Sequence, residues 1–295
     1  MTPQTIVVPV LKLSIMLTVF GFGLQATRDN LLYLIRRPVL TERFLVAMFV
    51  IMPLVAILLP SVFNFQSPVM IALIALSISP VEPLLPRKIG NGGGGVAPYG
   101  LAFMITAAAL SILYISLATR LFGGYFDKPF SVGPGPVAKL ISMSVLVPIA
   151  AGILFQRVVS ALARCIAKPA ALIATILLTL GFVAILVFLL AKSLSLIGNG
   201  TLVALIAFIV VGLVVGYFWG GPNADERITL SLSTACRHPG LAITQHSVNV
   251  PQEHNAFGAV PLYLLLSAVI TSAYVFWRRL KIQAPPNHSR NLQFE

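Results

Sequence analysis

The sequence predicts an all-α integral membrane protein with about nine transmembrane helices. Composition is the first observation that predicts it: 58% of the 295 residues are hydrophobic and only 9% are charged, whereas a soluble domain has about 25% charged residues. The second is that the apolar residues fall into segments of about 20, the length that a helix needs to cross a bilayer. A soluble protein with a large core is therefore disfavoured, and nearly the whole chain is expected to lie in the lipid bilayer.

Nine segments meet or nearly meet this length, and only short connections join them. We therefore expect one membrane domain, residues 1–295, with a disordered cytoplasmic tail at 280–295. The first segment is too long for the apolar core of a cleaved leader and no small-residue cleavage site follows it, so it is expected to be a span. The predicted spans are residues 6–26, 42–60, 68–89, 96–119, 137–157, 169–191, 200–219, 228–248 and 256–277.

Lysine and arginine residues support this count, because short cytoplasmic loops concentrate them. With nine spans, one side of the membrane carries only four of the 20, namely Arg120, Lys128, Lys139 and Lys192. Lys12 and Arg237 lie inside spans, and the remaining fourteen lie on the other side. We therefore expect a multi-pass protein of the cell (inner) membrane, with its amino terminus outside and its carboxyl terminus in the cytoplasm. The same distribution accounts for the net charge of +12 without a nucleic-acid partner.

Spans 3 and 8 are expected to be broken helices. Proline has no backbone N–H and its ring clashes with the preceding turn, so closely spaced prolines end a regular helix. In hydrocarbon an unpaired backbone group costs several kcal/mol, so a break persists only where protein packs on it or a wet cavity adjoins it. The helix-breaking residues of the two spans are Pro80, Pro83, Pro86, Pro239 and Gly240.

The two breaks occupy corresponding places in a faint internal repeat. "SISPVEP" (77–83) aligns with "STACRHP" (233–239) through a serine and a proline six residues apart, and similar apolar spans follow both. The offset of five spans is odd, so the two halves would run in opposite orientations. Residues 6–122 are the expected first, shortened inverted repeat, and 135–279 the second. Inverted repeats with interrupted helices in corresponding positions are typical of secondary transporters.

Glu82 and Arg237 lie at the two breaks, where a charge costs at least about 2.5 kcal/mol. Each is expected to be the other's partner, either as a structural ion pair that pins the breaks together or as part of a site for substrate and ions. In the second case Arg237 anchors an anionic substrate or stands where a coupling cation would bind, and Glu82 balances or titrates. His238 could carry protons together with Glu82 or only form structural hydrogen bonds.

Small polar side chains flank both breaks and complete the candidate set for substrate and ion binding. Their hydroxyls either contact a ligand or satisfy backbone groups that the breaks release. They are Ser77, Ser79, Ser233 and Thr234. No cofactor is predicted and no metal, since His238, His246 and His254 are too far apart for a metal site and the two cysteines form no motif. The spans carry no paired-aspartate, HExxH or Ser/His pattern, so we do not expect an enzyme.

Three stretches of the chain follow a known pattern: "MLTVFGFGLQATRDNLLYLIRRP" (16–38), "FVIMPLVAILLP" (49–60) and "LSLSTACRHPGLAI" (230–243). They resemble the bile acid:sodium symporter family, within the wider group of bile acid, arsenite and riboflavin carriers. The resemblance implies a core domain of spans 3 to 5 and 7 to 9 with two crossing broken helices, and a panel domain of spans 1, 2, 5 and 6. Span 5 enters both descriptions. Substrate would bind in the crevice between the domains and move by alternating access.

The chain departs from that family where sodium would bind. The family's Pro-Gly-Gly-x-x-Ser-Asn is replaced by "PVEPLLP" (80–86), which lacks the Ser-Asn oxygens. Its Glu-x-Gly-x-Gln-Asn is replaced by "STACRH" (233–238), which lacks the carboxylate. Arg237 supplies only donors and a positive charge, whereas sodium needs oxygen ligands.

We therefore expect a secondary carrier of small organic, mainly anionic, solutes that does not use the family's two sodium sites. Bile-acid-like steroids, keto acids and other small carboxylates all fit a mostly apolar crevice. A sodium-coupled symporter with altered ligands is one alternative, and a channel or sensor on the same scaffold is another. The sequence leaves open whether protons are coupled through Glu82, and it gives no oligomeric state.

Overall fold

The computed structural model describes residues 4–63, 67–90, 97–126, 134–194, 198, 200–242 and 259–283. All regular elements in these ranges are helices. Of the predicted tail, residues 280–283 continue the last helix and 284–295 lie outside the described residues. The helices are α1 (Gln4–Gln25), α2 (Arg28–Leu32), α3 (Pro38–Val62), α4 (Ser67–Ile78), α5 (Leu85–Gly90), α6 (Ala97–Phe126), α7 (Pro134–Val158), α8 (Ser160–Leu194), α9 (Thr201–Trp219), α10 (Ala224–Ala235) and α11 (Ala259–Gln283).

Six of these helices are long and apolar enough to cross a membrane, namely α3, α6, α7, α8, α9 and α11. Shorter apolar stretches lie in α1 (Pro9–Gln25) and α4 (Val69–Ile78). The protein is therefore an all-α, multi-pass membrane protein. The larger count of nine crossings, the inverted repeat and the orientation of the termini stay predictions.

Helix α8 begins earlier than the sequence pattern predicts. The pattern places Arg164 and Lys168 in a basic loop ahead of a span at 169–191, whereas the helix begins at Ser160 and continues through Pro169. The loop prediction is therefore wrong. Alanine, leucine and arginine make up most of the first two turns of α8 and are strong helix formers, and a single residue, Val159, separates α8 from α7.

Helices α3 and α7 each contain one turn of π-helix close to a proline. The π-helical turns are Ala47–Ile51 and Ser142–Leu146, and Pro53 and Pro148 follow them. Proline has no N–H to donate to a carbonyl one turn earlier. The π-helical turn, which is wider than an α-helical turn, shifts the neighbouring hydrogen bonds by one residue. In α3 two of these carbonyls accept hydrogen bonds from other parts of the chain.

Two hydrophobic clusters group the helices. The larger joins α3, α4, α5, α6, α9, α10 and α11. The second joins α1 and α7 to further residues of α6, and α8 packs along α1. Span 2, which is α3, buries Phe44, Met48 and Met52 in the larger cluster. The prediction that span 2 belongs to the panel domain with span 1 is therefore wrong, because the apolar face of α3 packs against the interrupted helices.

Candidate functional site

The two interrupted helices cross at their interruptions. The first interruption separates α4 from α5, and the second separates α10 from a helical turn at 239–242. An isolated antiparallel bridge joins Val81 to Arg237, and the Glu82 N–H donates to the Cys236 carbonyl at 3.1 Å. The two extended segments thus satisfy backbone groups of each other, which lipid could not do.

The prolines play different parts in the two interruptions. Pro80 and Pro83 lie in the first interruption, and the Pro80 carbonyl accepts the His238 N–H at 2.9 Å. Pro86 lies in the first turn of α5, where a missing N–H is tolerated. Pro239 begins the helical turn after the second interruption, and Gly240 follows it. Pro86 therefore begins a helix, whereas the sequence pattern grouped it with the residues that end one.

Arg237 is completely buried, and its guanidinium donates to three backbone carbonyls. Nε donates to Thr234 at 3.1 Å, Nη1 to Ser79 at 3.2 Å and Nη2 to Met48 at 3.3 Å. Thr234 and Ser79 lie at the carboxyl ends of α10 and α4, where the helix dipole places partial negative charge. The cation is thus held by the ends of two half-helices and by one carbonyl of α3.

Pro53 explains why α3 offers a carbonyl to the site. Because Pro53 has no N–H, the carbonyls of Met48 and Phe49, about one turn earlier, receive no hydrogen bond from it. Arg237 donates to the first, and the Tyr114 hydroxyl of α6 donates to the second at 2.6 Å. Both polar side chains therefore connect α3 to its neighbours through carbonyls at the proline and at the π-helical turn before it.

Glu82 does not pair with Arg237, so the expectation that each is the other's partner is wrong; the sequence alone leaves open whether the two form an ion pair. Its Oε2 accepts from Lys88 Nζ at 2.7 Å, and the same ammonium lies 3.4 Å from the Cys236 sulfur. The chain re-enters a helix at Leu85, which brings Lys88 back to the interruption one turn later. The Arg237 guanidinium points away from Glu82, toward the carboxyl ends of α4 and α10. Lys88, which the charge distribution assigned to a loop, is therefore part of the site.

Tyr263 and His238 complete the hydrogen bonding around Arg237. The Tyr263 hydroxyl accepts the Arg237 N–H at 2.9 Å and donates to the Ala235 carbonyl at 2.7 Å. His238 Nδ1 accepts the Leu241 N–H at 3.3 Å, while Nε2 is buried with no hydrogen-bond partner among the described residues. Sequence reasoning missed Tyr263; the available signal was a phenol within an apolar span.

The four predicted hydroxyl side chains contact backbone carbonyls. Ser77, Ser79 and Ser233 donate to carbonyls three or four residues earlier in the chain, at 2.6 to 2.7 Å. The Thr234 hydroxyl lies 2.5 Å from the Gly212 carbonyl oxygen of α9. Such bonds hold the ends of helices and link α10 to α9. The geometry therefore supports the structural alternative for these residues.

A second buried carboxylate, Glu226, lies in the first turn of α10. It forms an ion pair with Arg37 and accepts from the Tyr33 hydroxyl at 3.2 Å, and the Arg37 guanidinium lies 4.5 Å from the centre of the Tyr33 ring. Burial raises the pKa of Tyr33, which keeps its hydroxyl protonated and donating. These contacts hold the start of α10 to the segment between α1 and α3. The sequence interpretation did not identify this cluster.

A cleft of about 400 Å³ adjoins Lys88. Its walls come from α8, α11 and the segment around α5, so α8 faces helices of the larger cluster across it. Three cationic side chains line it, those of Arg87, Lys88 and Arg279. Four hydroxyls from α8 and α11 and several apolar side chains form the rest. The cleft therefore combines positive charge with apolar walls.

Apolar helices that cross a membrane, two interrupted helices that meet at a buried cation and an adjoining cationic cleft are the features of a membrane carrier. A comparison with protein families matches residues 11–196 to the Sodium Bile acid symporter family. The chain belongs to this family, since the match covers well over half of its length, and the resemblance seen in the sequence is confirmed. The matched segment includes Glu82 and Lys88 but ends before Arg237. A comparison with curated proteins finds no match.

Proposed function

We propose that this protein is a secondary carrier that moves small organic anions across the membrane by alternating access. The crossing of two interrupted helices supports this proposal, because such helices form the binding region of many secondary transporters. The cleft supports an anionic solute, since it presents Arg87, Lys88 and Arg279 beside apolar side chains. Movement of α8 relative to α5 and α11 would open and close it.

The proposal also concerns ion coupling, and it depends on the buried guanidinium of Arg237. Arg237 lies between the carboxyl ends of α4 and α10, where two helix dipoles favour a cation. Its three carbonyl partners are of the kind that hold sodium in carriers with interrupted helices. Arg237 therefore serves as a tethered cation, and the carrier works without the family's sodium sites. Complete burial of the guanidinium favours this role over direct contact with substrate.

Transport is expected to be unchanged when choline replaces sodium. The full-length protein in proteoliposomes would be assayed by counterflow of labelled steroid carboxylates, keto acids and alkyl carboxylates, each in sodium and in choline medium. The physical reason is that a guanidinium already neutralises the carbonyl ends that would otherwise bind sodium.

Strict sodium dependence would contradict this view. It would instead establish the alternative that the family name suggests, a sodium-coupled symporter with altered ligands. A carrier exchanges labelled for unlabelled solute, whereas a channel or sensor does not accumulate label in this way. Absence of counterflow for every carboxylate would therefore count against the carrier function itself.

A further inference from the structure

We infer that Lys88 is an exchangeable counter-ion: an anion that enters the cleft takes the Lys88 ammonium from Glu82, and Glu82 then binds one proton. Anion and proton are thereby bound together. The inference rests on the proposed carrier function only for the use of this exchange in transport. The binding step itself can be measured on the purified protein.

Lys88, on α5, contacts the first interruption and also lines the cleft. Its Nζ lies 2.7 Å from Glu82 Oε2, and the same residue lines the cleft wall. The Lys88 side chain is 26% exposed and that of Glu82 is 10% exposed, so Lys88 is the more accessible of the two residues. Lysine carries its charge on a flexible four-carbon chain. The ammonium can therefore swing from Glu82 toward an anion in the cleft while the interruption keeps its shape.

The other two cations of the cleft attract anions but have no carboxylate to release. In the part of the chain that the structure describes, Arg87 and Arg279 form no ion pair, whereas Lys88 pairs with Glu82. Three cations against one carboxylate give the cleft a positive potential, which concentrates anions there. Lys88 is thus the cleft cation that leaves a buried carboxylate, Glu82, unpaired when an anion binds it.

When Lys88 moves away, Glu82 keeps no positive partner among the residues that the structure describes. Within those residues, the other titratable groups that face it are the Cys236 thiol of the second interruption and the Tyr263 hydroxyl of α11, and neither carries positive charge. Arg237 is held by carbonyls of α3, α4 and α10. A buried carboxylate that loses its cation is costly, and it becomes neutral by binding a proton.

The charges balance in this exchange. Before binding, Glu82 is a carboxylate and Lys88 an ammonium. Afterwards Lys88 pairs with the bound anion and Glu82 is a carboxylic acid, so one O–H bond has formed with a proton from solution. One monoanion and one proton enter, and the net charge of the site is unchanged. The apolar walls suit the hydrocarbon part of a ligand, which makes an amphipathic monocarboxylate the expected class.

Calorimetric titration of the full-length protein in detergent tests the exchange. Octanoate serves as the anionic probe, and octylammonium serves as a control with the same apolar body and the opposite charge. Titrations near neutral pH in Bis-Tris and in Tris, which carry no negative charge and differ in ionisation enthalpy, give the number of protons bound. We expect about one proton taken up per octanoate, as linkage requires, and no binding of octylammonium.

Variants separate the two partners. Glu82→Gln preserves shape but cannot titrate, so octanoate should bind without proton uptake. Lys88→Met should weaken octanoate binding about tenfold or more, because a charge-assisted hydrogen bond is lost. Arg87→Met is the matched control: it removes a cleft cation that holds no carboxylate, so binding weakens while about one proton per anion is still taken up.

Octanoate binding by the unmodified protein without proton uptake would overturn the exchange, and so would proton uptake that persists in Glu82→Gln. No octanoate binding at millimolar concentration would overturn the assignment of the cleft. If Lys88→Met does not fold, Lys88→Arg keeps the charge and should retain both binding and proton uptake. Counterflow in proteoliposomes tests the carrier function separately, so either proposal can fail alone.

Discussion

At the residue scale, the interruptions hold a cation by means of carbonyl dipoles. A charge in apolar surroundings usually pairs with an opposite charge, yet the guanidinium of Arg237 is bonded to carbonyls of α3, α4 and α10. Two of these carbonyls lie at the negative ends of helices. The planar guanidinium presents its N–H groups in fixed directions, so one side chain can hold three elements in a single arrangement.

Arg237→Gln is expected to lower stability by about 3 kcal/mol or more, because buried carbonyls lose a charged donor. Sodium should partly restore it, since those carbonyls would then be free to bind a small cation. Arg237→Lys keeps a charge and should respond little to sodium. Thermal unfolding in detergent, with sodium or choline as the only cation, measures both effects.

The control for this comparison is an exposed ion pair. Arg36 pairs with Asp29 at the surface, with side chains 61% and 79% exposed, and Arg36→Ala should cost less than about 1 kcal/mol. Stabilisation of the unmodified protein by sodium over choline would refute the tethered-cation role of Arg237. Equal losses in Arg36→Ala and Arg237→Gln would refute its structural importance.

At the element scale, prolines decide where helices stop and which carbonyls their neighbours can use. Pro80 lies in the pair of interrupted segments and Pro239 directly follows it, and the Pro80 carbonyl accepts a hydrogen bond from the opposite segment. Pro53 lies within α3 and leaves this helix continuous. Pro53 and the π-helical turn before it leave two carbonyls of α3 that accept hydrogen bonds from Arg237 and Tyr114. The same missing N–H therefore produces an interruption in one place and a contact between helices in another.

Pro53 and Tyr114 are expected to be energetically coupled. Tyr114→Phe should destabilise the protein by about 1 kcal/mol, the net value of one buried hydrogen bond. In a Pro53→Ala background, residue 53 can donate its own N–H to α3, so the same change should cost clearly less. A double-mutant cycle on unfolding free energies measures this difference. Additive effects of the two substitutions would show that the tyrosine does not replace the donor that Pro53 lacks.

Much of this architecture follows from local rules, which is why the sequence predicts it. The apolar segments predict membrane helices, and prolines predict interruptions at Pro80 and Pro239, because both depend only on nearby residues. The partner of Glu82 depends on where α5 begins and on the direction of Lys88, which are tertiary facts. The partners of Arg237 are backbone carbonyls, which have no sequence signature. The continuous helix through Pro169 depends on helix-forming neighbours that outweigh one proline.

At the scale of the whole molecule, the cleft lies where α8 faces α5 and α11. Helix α1 packs along α8 and also closely on α7: a Cβ added to Gly23 would lie 2.9 Å from the Gly152 Cα. Glycines that allow such close approach of backbones favour tight helix pairs. Helices α1, α7 and α8 are therefore expected to move together. Alternating access would require this group to shift relative to the helices that carry Lys88 and Glu82.

A reducible cross-link across the cleft should therefore stop transport. Thr179 on α8 and Ser272 on α11 line the same cleft, so cysteines at both positions can be joined by a short bifunctional thiol reagent. The exposed Cys165 would first be changed to serine, while the buried Cys236 is retained. Counterflow should fall to background on cross-linking and recover when the link is reduced, because the two walls can no longer separate.

The matched control places both cysteines on one wall. Leu172 and Ile176 are exposed on α8 and lie one helical turn apart, so a link between them ties no group of helices to another. Counterflow should then persist after cross-linking. The link between positions 179 and 272 differs from this control only in joining α8 to α11. If both linked proteins transport equally well, the cleft walls do not move in the cycle, and access to the substrate must alternate at another pair of helices.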